Sequence, residues 1–274
     1  MGGIYALVSM GLSMQYGVAK ILNVSHGEFI MYGGVITWAL VRTGIHPLLA
    51  LVLCCPLILI AGFIMHRTLF ERLKKISRIP EIFQSNAMLL AFGTMFILQN
   101  VATRIWGPNP ISYPFMAAPI KLGPTYFPAN RLLVLCFSII IAVAFYLFLL
   151  KTRLGKSIRA TSQDPVAAGL MGIKIKTIMA ICFGIGAMLA GIAGSLLSII
   201  QPLLTIMGMN YTLIAIIVVV LGGLGSIPGS LLGGFILGIV GEIVTRYEAS
   251  LTTVVFYAII MALLLVRPKG LLGR

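Results

Sequence analysis

Apolar residues run along this chain in long blocks, broken by short polar or basic stretches rather than by a regular alternation. A helix needs about 20 apolar residues to cross the hydrocarbon core of a bilayer. The pattern predicts nine such blocks, near residues 2–19, 22–41, 47–66, 86–105, 131–150, 178–200, 210–222, 229–245 and 251–266. The expected fold is therefore all-α, a polytopic membrane helix bundle of about nine transmembrane segments (roughly eight to ten). Blocks 210–222 and 229–245 are short for full crossings. They fit tilted, broken or partly re-entrant helices, which are tolerated where backbone is buried in protein.

The polar breaks carry a charge signal. Most of the 20 Lys and Arg fall in three clusters: Arg67, Arg72, Lys74, Lys75 and Arg78; Lys151, Arg153, Lys156, Arg159, Lys174 and Lys176; Arg267, Lys269 and Arg274. Short loops rich in Lys and Arg stay cytoplasmic. Placing the loop 67–85 inside and counting crossings also puts 151–177 and the carboxy terminus inside. The same parity places Met1 outside and Lys20 inside. The stretch 107–128, with prolines at 108, 110, 114, 119, 124 and 128, falls outside and reads as a stiff, irregular external cap. Residues 1–274 read as a single membrane domain.

Composition narrows the class. Only 9% of residues are charged and mean hydropathy is +1.08, whereas soluble domains carry about 25% charged residues. The net charge of +14 suggests nucleic acid only if it gathers on one polar face. Here it lies between spans with little aromatic interleaving, as topology determinants and contacts to anionic membrane lipid do; no nucleic-acid partner is expected. Cys54, Cys55, Cys136 and Cys182 all lie in apolar blocks, so they read as buried apolar residues rather than a disulfide or metal framework. The first basic residue is Lys20, so the amino terminus lacks the charged region of a cleaved signal peptide.

Five motifs stand out. Asn23, Ser25, His26, Gly27 and Glu28 open the second block. Ser25 and Glu28 have the S-x-x-E spacing of a capping box, and Gly27 lets a neighbouring backbone approach. Polar residues at membrane depth otherwise mark a translocation pathway, and both readings stand. His26 and Glu28 are two apart and point to different helix sides, which disfavours a metal. In the second motif, Arg159 to Ile173, Asp164-Pro165 is a good helix start and Gly172 a good stop. Between them Ala167, Ala168, Gly169, Leu170 and Met171 give a small apolar face, either a surface helix or one that docks on another protein.

Glycines Gly191 and Gly194 (with Gly184 and Gly186), and Gly229, Gly233, Gly234 and Gly238, recur at helical spacing and predict close helix packing. Gly222 to Gly229 lacks the Lys-Ser/Thr of a phosphate-binding loop, so any ATP chemistry belongs to another chain. The six carboxylates form no evident dyad. Glu28 and Glu242 are the plausible buried ones, a thin basis for ion coupling or for catalysis.

Four segments in order resemble one family. NVSHGEFIMYGG at 23–34, RATSQDPVAAGLMGI at 159–173, GGLGSIPGSLLGGFILG at 222–238 and LLVRPKGLLG at 264–273 are similar to the signatures of permeases in branched-chain amino acid ABC importers of the LivH/LivM kind. Gln163 stands where the family's second motif often has an acid, and the chain starts almost at once with GGIYALVSMG, where relatives often carry a short leader.

The resemblance implies a permease subunit, not an enzyme, in a bacterial or archaeal inner membrane. It implies a second, LivM-like permease, two cytoplasmic ATP-binding subunits that hold ATP-Mg, and an extracytoplasmic solute-binding protein. No cofactor is expected on this chain. Asn23 to Glu28 would shape the pathway, and Arg159, Asp164, Pro165, Ala167, Ala168, Gly169 and Gly172 would couple to the ATPase. Transport of urea or an amide by a relative of the same family, or ion-coupled secondary transport, are the alternatives.

Overall fold

The structure is a computed structural model that describes residues 1–77, 79–116, 119–122, 125–267 and 270–272. Arg78, Pro124, Lys269 and Arg274 lie outside the described residues. Its axis is α9 (Ile175–Ile200), which is buried almost all round from Ile178 to Ile199. A helix that is apolar on every face belongs in the middle of a bundle. Against it pack α1 (Gly2–Ala19), α2 (His26–Arg42) and α3 (Pro47–Met65).

Small residues set those approaches. A Cβ on Gly194 would collide with the Ile30 carbonyl, one on Gly191 with the Ile58 side chain, and one on Gly33 with the Gly191 carbonyl. In lipid no hydrophobic force drives helices together, so dispersion across such close contacts matters most. The second glycine set does the same for α11 (Ile227–Tyr247): Gly234 meets Ala6, Gly238 meets Gly2, and Gly229 meets Gly222 at the end of α10 (Gly208–Gly222).

The expected loop 67–85 is mostly helical. α3 runs through a π-helical turn, His66–Phe70, into α4 (Glu71–Ile76), and α5 spans Pro80–Trp106. Phe70 is buried and Leu69 and Leu73 pack against the core while Arg67, Lys74 and Lys75 stay exposed. That amphipathic pattern carries the helix past the end of the apolar block. Likewise 151–177 is not a loop throughout: after α6 (Ala129–Lys151) come α7 (Arg153–Gln163) and α8 (Pro165–Leu170). The chain ends with α12 (Leu251–Val266).

Residues 107–128 also depart from an irregular cap. β1 (Pro119–Leu122) and β2 (Thr125–Pro128) pair antiparallel, with Ile120 opposite Phe127 and Lys121 opposite Tyr126. Apolar β-forming residue types between two prolines suit a short two-stranded ribbon, since Pro119 and Pro128 sit at its outer end. Ile111 bridges to Leu203, tying the preceding segment to the chain beyond α9.

Among the described residues, five helices are long and apolar enough to cross a membrane: Pro47–Ile76, Glu81–Trp106, Ala129–Lys151, Ile175–Ile200 and Ile227–Tyr247. Gly208–Gly222 and Leu251–Val266 are shorter apolar helices. The outer faces of α5, α6, α11 and α12 expose large aliphatic side chains, as a lipid-facing or subunit-facing surface does. Cys54 and Cys182 are buried, but Cys136 is exposed and Cys55 half-buried. The apolar block of Cys136 is an outer helix, so apolar sequence there does not mean burial in protein.

Candidate functional site

The most unusual local feature is where α2 begins. α1 ends at Ala19, and Lys20 turns the chain with a left-handed backbone, φ 54°. His26 Nε2 then donates to the Val8 carbonyl at 3.1 Å. Val8 lies about 16 Å above the end of α1, at 1.5 Å rise per residue. Residues 20–25 therefore climb back along α1, and α2 starts at mid-depth of the bundle rather than at its end.

The turn is held from within. The Asn23 side-chain oxygen accepts from Ser25 N at 3.2 Å and from Ser25 Oγ at 2.7 Å. Ser25 therefore does not cap α2 with its side chain, and Glu28 does not reach back, so the capping box that the spacing suggested is absent. Asn23 has captured the serine hydroxyl, the local competition that short polar side chains offer near helix starts.

Across the junction, Thr212 of α10 accepts from the Gly27 amide at 2.8 Å and lies 3.0 Å from the Val24 carbonyl, to which its hydroxyl can donate. Gly27 presses on the Gly208 carbonyl, and a Cβ on Gly208 would meet the Glu28 carboxylate. Two helix N-termini thus abut, with Glu28 in the first turn of one and over the first residue of the other. Helix N-termini favour negative charge.

Glu28 is 0% exposed, as are Asn23, Ser25 and His26. Among the described residues both Glu28 carboxylate oxygens lack a hydrogen-bond partner, as do Asn23 Nδ2, His26 Nδ1, and Ser13 Oγ and Gln15 Oε1 of α1. Each such group costs about 1–3 kcal/mol when left unmatched. Asn23, His26 and Glu28 lie within six residues of one another at the α2 start, so three of these residues belong to one buried polar turn in an apolar bundle. Thr212, Gln15, Ser13 and Gly208 were not singled out from sequence. Ser9, Ser13 and Gln15 along an otherwise apolar first block were the available signal.

The second motif is built as a small projecting helix. The Asp164 carboxylate accepts from the amides of Val166 at 2.8 Å and Ala167 at 3.0 Å. Pro165 takes the first helical position and Gly172, φ 84°, turns the chain beyond the helix. Ala168 points inward, 4% exposed, whereas Leu170 and Met171 are 85% and 84% exposed, and Val166, Ala167 and Gly169 are also exposed. The outward apolar face is therefore Val166, Ala167, Leu170 and Met171. Arg159 is exposed on α7 rather than on a loop. α7 packs on α1, α6 and α9, so α8 is joined to the core of the bundle through a helix.

The described parts of the three basic segments share one end of the bundle. Arg67 and Lys176 line one cavity. Lys74, Ile175 and Ala19 line another. Gly225, in the connector between α10 and α11, touches Gly17 of α1, and the amides of Leu271 and Leu272 bond the Leu221 and Gly222 carbonyls. The glycine connector Gly222 to Gly229 is thus filled by its own backbone and the chain end. Among the described residues, no group of His, Cys, Asp and Glu is placed to hold a metal.

Residues 1–265 match the family described as "Branched-chain amino acid transport system / permease component". The chain belongs to that permease family. It is 31% identical to the high-affinity branched-chain amino acid transport system permease protein LivH of Salmonella typhimurium, over all of this chain and 92% of the relative. BraD of Pseudomonas aeruginosa, a permease protein of the same description, is 28% identical over all of this chain and 92% of its own length. LivM of Escherichia coli, also a permease protein of such a system, is 25% identical over 98% of this chain and 68% of its own length. No solved structure matches. The likeness to both LivH and LivM places this permease among relatives that include two distinct permease proteins of branched-chain amino acid systems. It is a multi-pass membrane protein with several apolar helices.

Proposed function

We propose that this chain is one of two permease subunits of an ATP-driven importer that carries branched-chain or other small amino acids across the inner membrane of a bacterium or archaeon. The observation that carries the reading is the family match over residues 1–265, with the LivH relatives supporting the substrate class. The remaining parts are a second, LivM-like permease, two cytoplasmic ATP-binding subunits and an extracytoplasmic solute-binding protein. Nucleotide and Mg belong to the ATP-binding subunits. The chain forms one membrane domain.

Its basic end faces the cytoplasm, because Lys- and Arg-rich segments remain there; the carboxy terminus and α8 are then cytoplasmic and residues 107–128 external. The helix α8 is the part that meets an ATP-binding subunit. Its exposed Val166, Leu170 and Met171 form a contiguous apolar face that such a contact would bury. Motion of that subunit reaches the core through α7, which packs on α1, α6 and α9. The junction of α2 with α10 lies along the pathway: parting these helices exposes Asn23, His26 and Glu28 to a passing solute.

A Leu170→Glu/Met171→Glu double variant tests the reading, since both side chains are exposed and the fold does not need them. Affinity purification in mild detergent should recover an ATP-binding subunit with the wild-type chain and lose most of it with the variant. Equal recovery with both, or a wild-type chain that purifies without any ATPase, contradicts the proposal.

A further inference from the structure

The basic end holds a feature that the transport reading does not use. Two cavities, of 460 and 220 Å³, adjoin there and share Glu71, Ile175 and Lys176. Arg67, Lys174 and Lys176 line the larger, and Phe70, Phe83, Ile21 and Met179 give the smaller an apolar wall. Residues about 100 positions apart, from the first and second basic clusters, meet here. Five cations, Lys74 and Lys75 included, face a single carboxylate, Glu71.

His66 makes this more than a patch of surface lysines. It lines the smaller cavity, is 4% exposed, and its Nδ1 has no hydrogen-bond partner among the described residues. Its ring is fixed between Phe70 and Phe183, at centroid distances of 6.2 and 5.4 Å. The π-helical turn His66–Phe70 places it there, and such single-turn bulges often mark functional sites.

We infer that these adjoining cavities bind one anionic phospholipid, its phosphate on Arg67, Lys174 and Lys176 and its glycerol ester region against His66, with an acyl chain entering the apolar wall. Five cations around the two adjoining cavities, with an apolar wall of Ile21, Phe70, Phe83 and Met179 in the smaller, match an amphiphile better than a soluble anion. Basic pockets between helices near the cytoplasmic leaflet recognise anionic head groups in this way. The site deepens the lipid contact expected from the charge pattern and rests on the membrane placement of the basic end, not on the transported substrate.

Native mass spectrometry of the purified protein, titrated with phosphatidylglycerol or phosphatidylcholine, tests this. Phosphatidylglycerol should bind preferentially. An Arg67→Gln/Lys176→Gln variant should bind it about thirtyfold more weakly, from the loss of two cations near the surface. Arg246→Gln, at the far end of α11, should change nothing. His66→Phe should weaken the lipid while leaving binding of inorganic phosphate alone unchanged. Equal binding of the two lipids, or an Arg67/Lys176 effect reproduced in full by inorganic phosphate competition, overturns the lipid assignment. So does loss of the ATP-binding subunit from the double variant with lipid binding intact, since the cleft would then be a protein contact.

Discussion

Glu28 states the central physical problem of this molecule. A carboxyl group that is fully buried, without a hydrogen bond among the described residues and beside two helix N-termini, is costly in a bilayer interior, and the proposed pathway role gives that cost a use. Glu28→Gln keeps the volume and removes the ionisable carboxyl group that the pathway role would use. Uptake should then fall by about tenfold or more, the scale of one hydrogen bond to a charged group, while thermal stability is kept. Full uptake with the Gln variant would return Glu28 to packing alone. Thr212 makes the complementary case. Thr212→Val leaves the Gly27 amide and the Val24 carbonyl without their bond across the junction. Unfolding in detergent should show a loss of about 1–3 kcal/mol; an unchanged midpoint would mean that the junction is not held there. The motif at 23–28 was visible in the sequence as polar residues in an apolar setting. Its partner Thr212 was not, because a lone Thr in an apolar helix carries no pattern until the fold brings it to Gly27.

At the scale of elements, the apolar blocks placed the helices well and their ends badly. α3 and α4 show why: Leu69, Phe70 and Leu73 continue a buried stripe past the last apolar run, so the helix outlasts the hydropathy signal. α2 erred the other way. Its apolar block begins at 22, but the chain climbs beside α1 before Asn23 and Ser25 lock each other, and the helix starts at His26. For α8 the local chemistry was explicit, with Asp164, Pro165 and Gly172 each in its expected place, yet the inward turn of Ala168 needed the fold. Asp164→Ala removes the acceptor for two amides and should destabilise this six-residue helix by about 1 kcal/mol. Hydrogen exchange of Val166 and Ala167 should quicken while that of α9 stays slow. Unchanged exchange would show that tertiary contacts, not the cap, hold the helix.

For the whole molecule, charge placement and helix packing point to the same arrangement. The described parts of three basic segments distant in sequence converge on the end of the bundle where α1 stops, and α9 runs through its middle on glycine contacts that hydropathy alone could not assign to partners. Cysteine labelling tests the direction. In a Cys-free background, Met171→Cys should react with a membrane-impermeant maleimide only in inside-out vesicles, and Met116→Cys only in right-side-out cells. The reverse pattern would invert the topology.

The most direct measurement is amino acid uptake by proteoliposomes that contain this chain with its second permease, its ATP-binding subunits and its solute-binding protein. Uptake of leucine, isoleucine or valine should be saturable, require ATP on the side of the basic end and be abolished by Leu170→Glu/Met171→Glu. Uptake driven by a proton or sodium gradient without ATP, or insensitive to that variant, would contradict the proposed function.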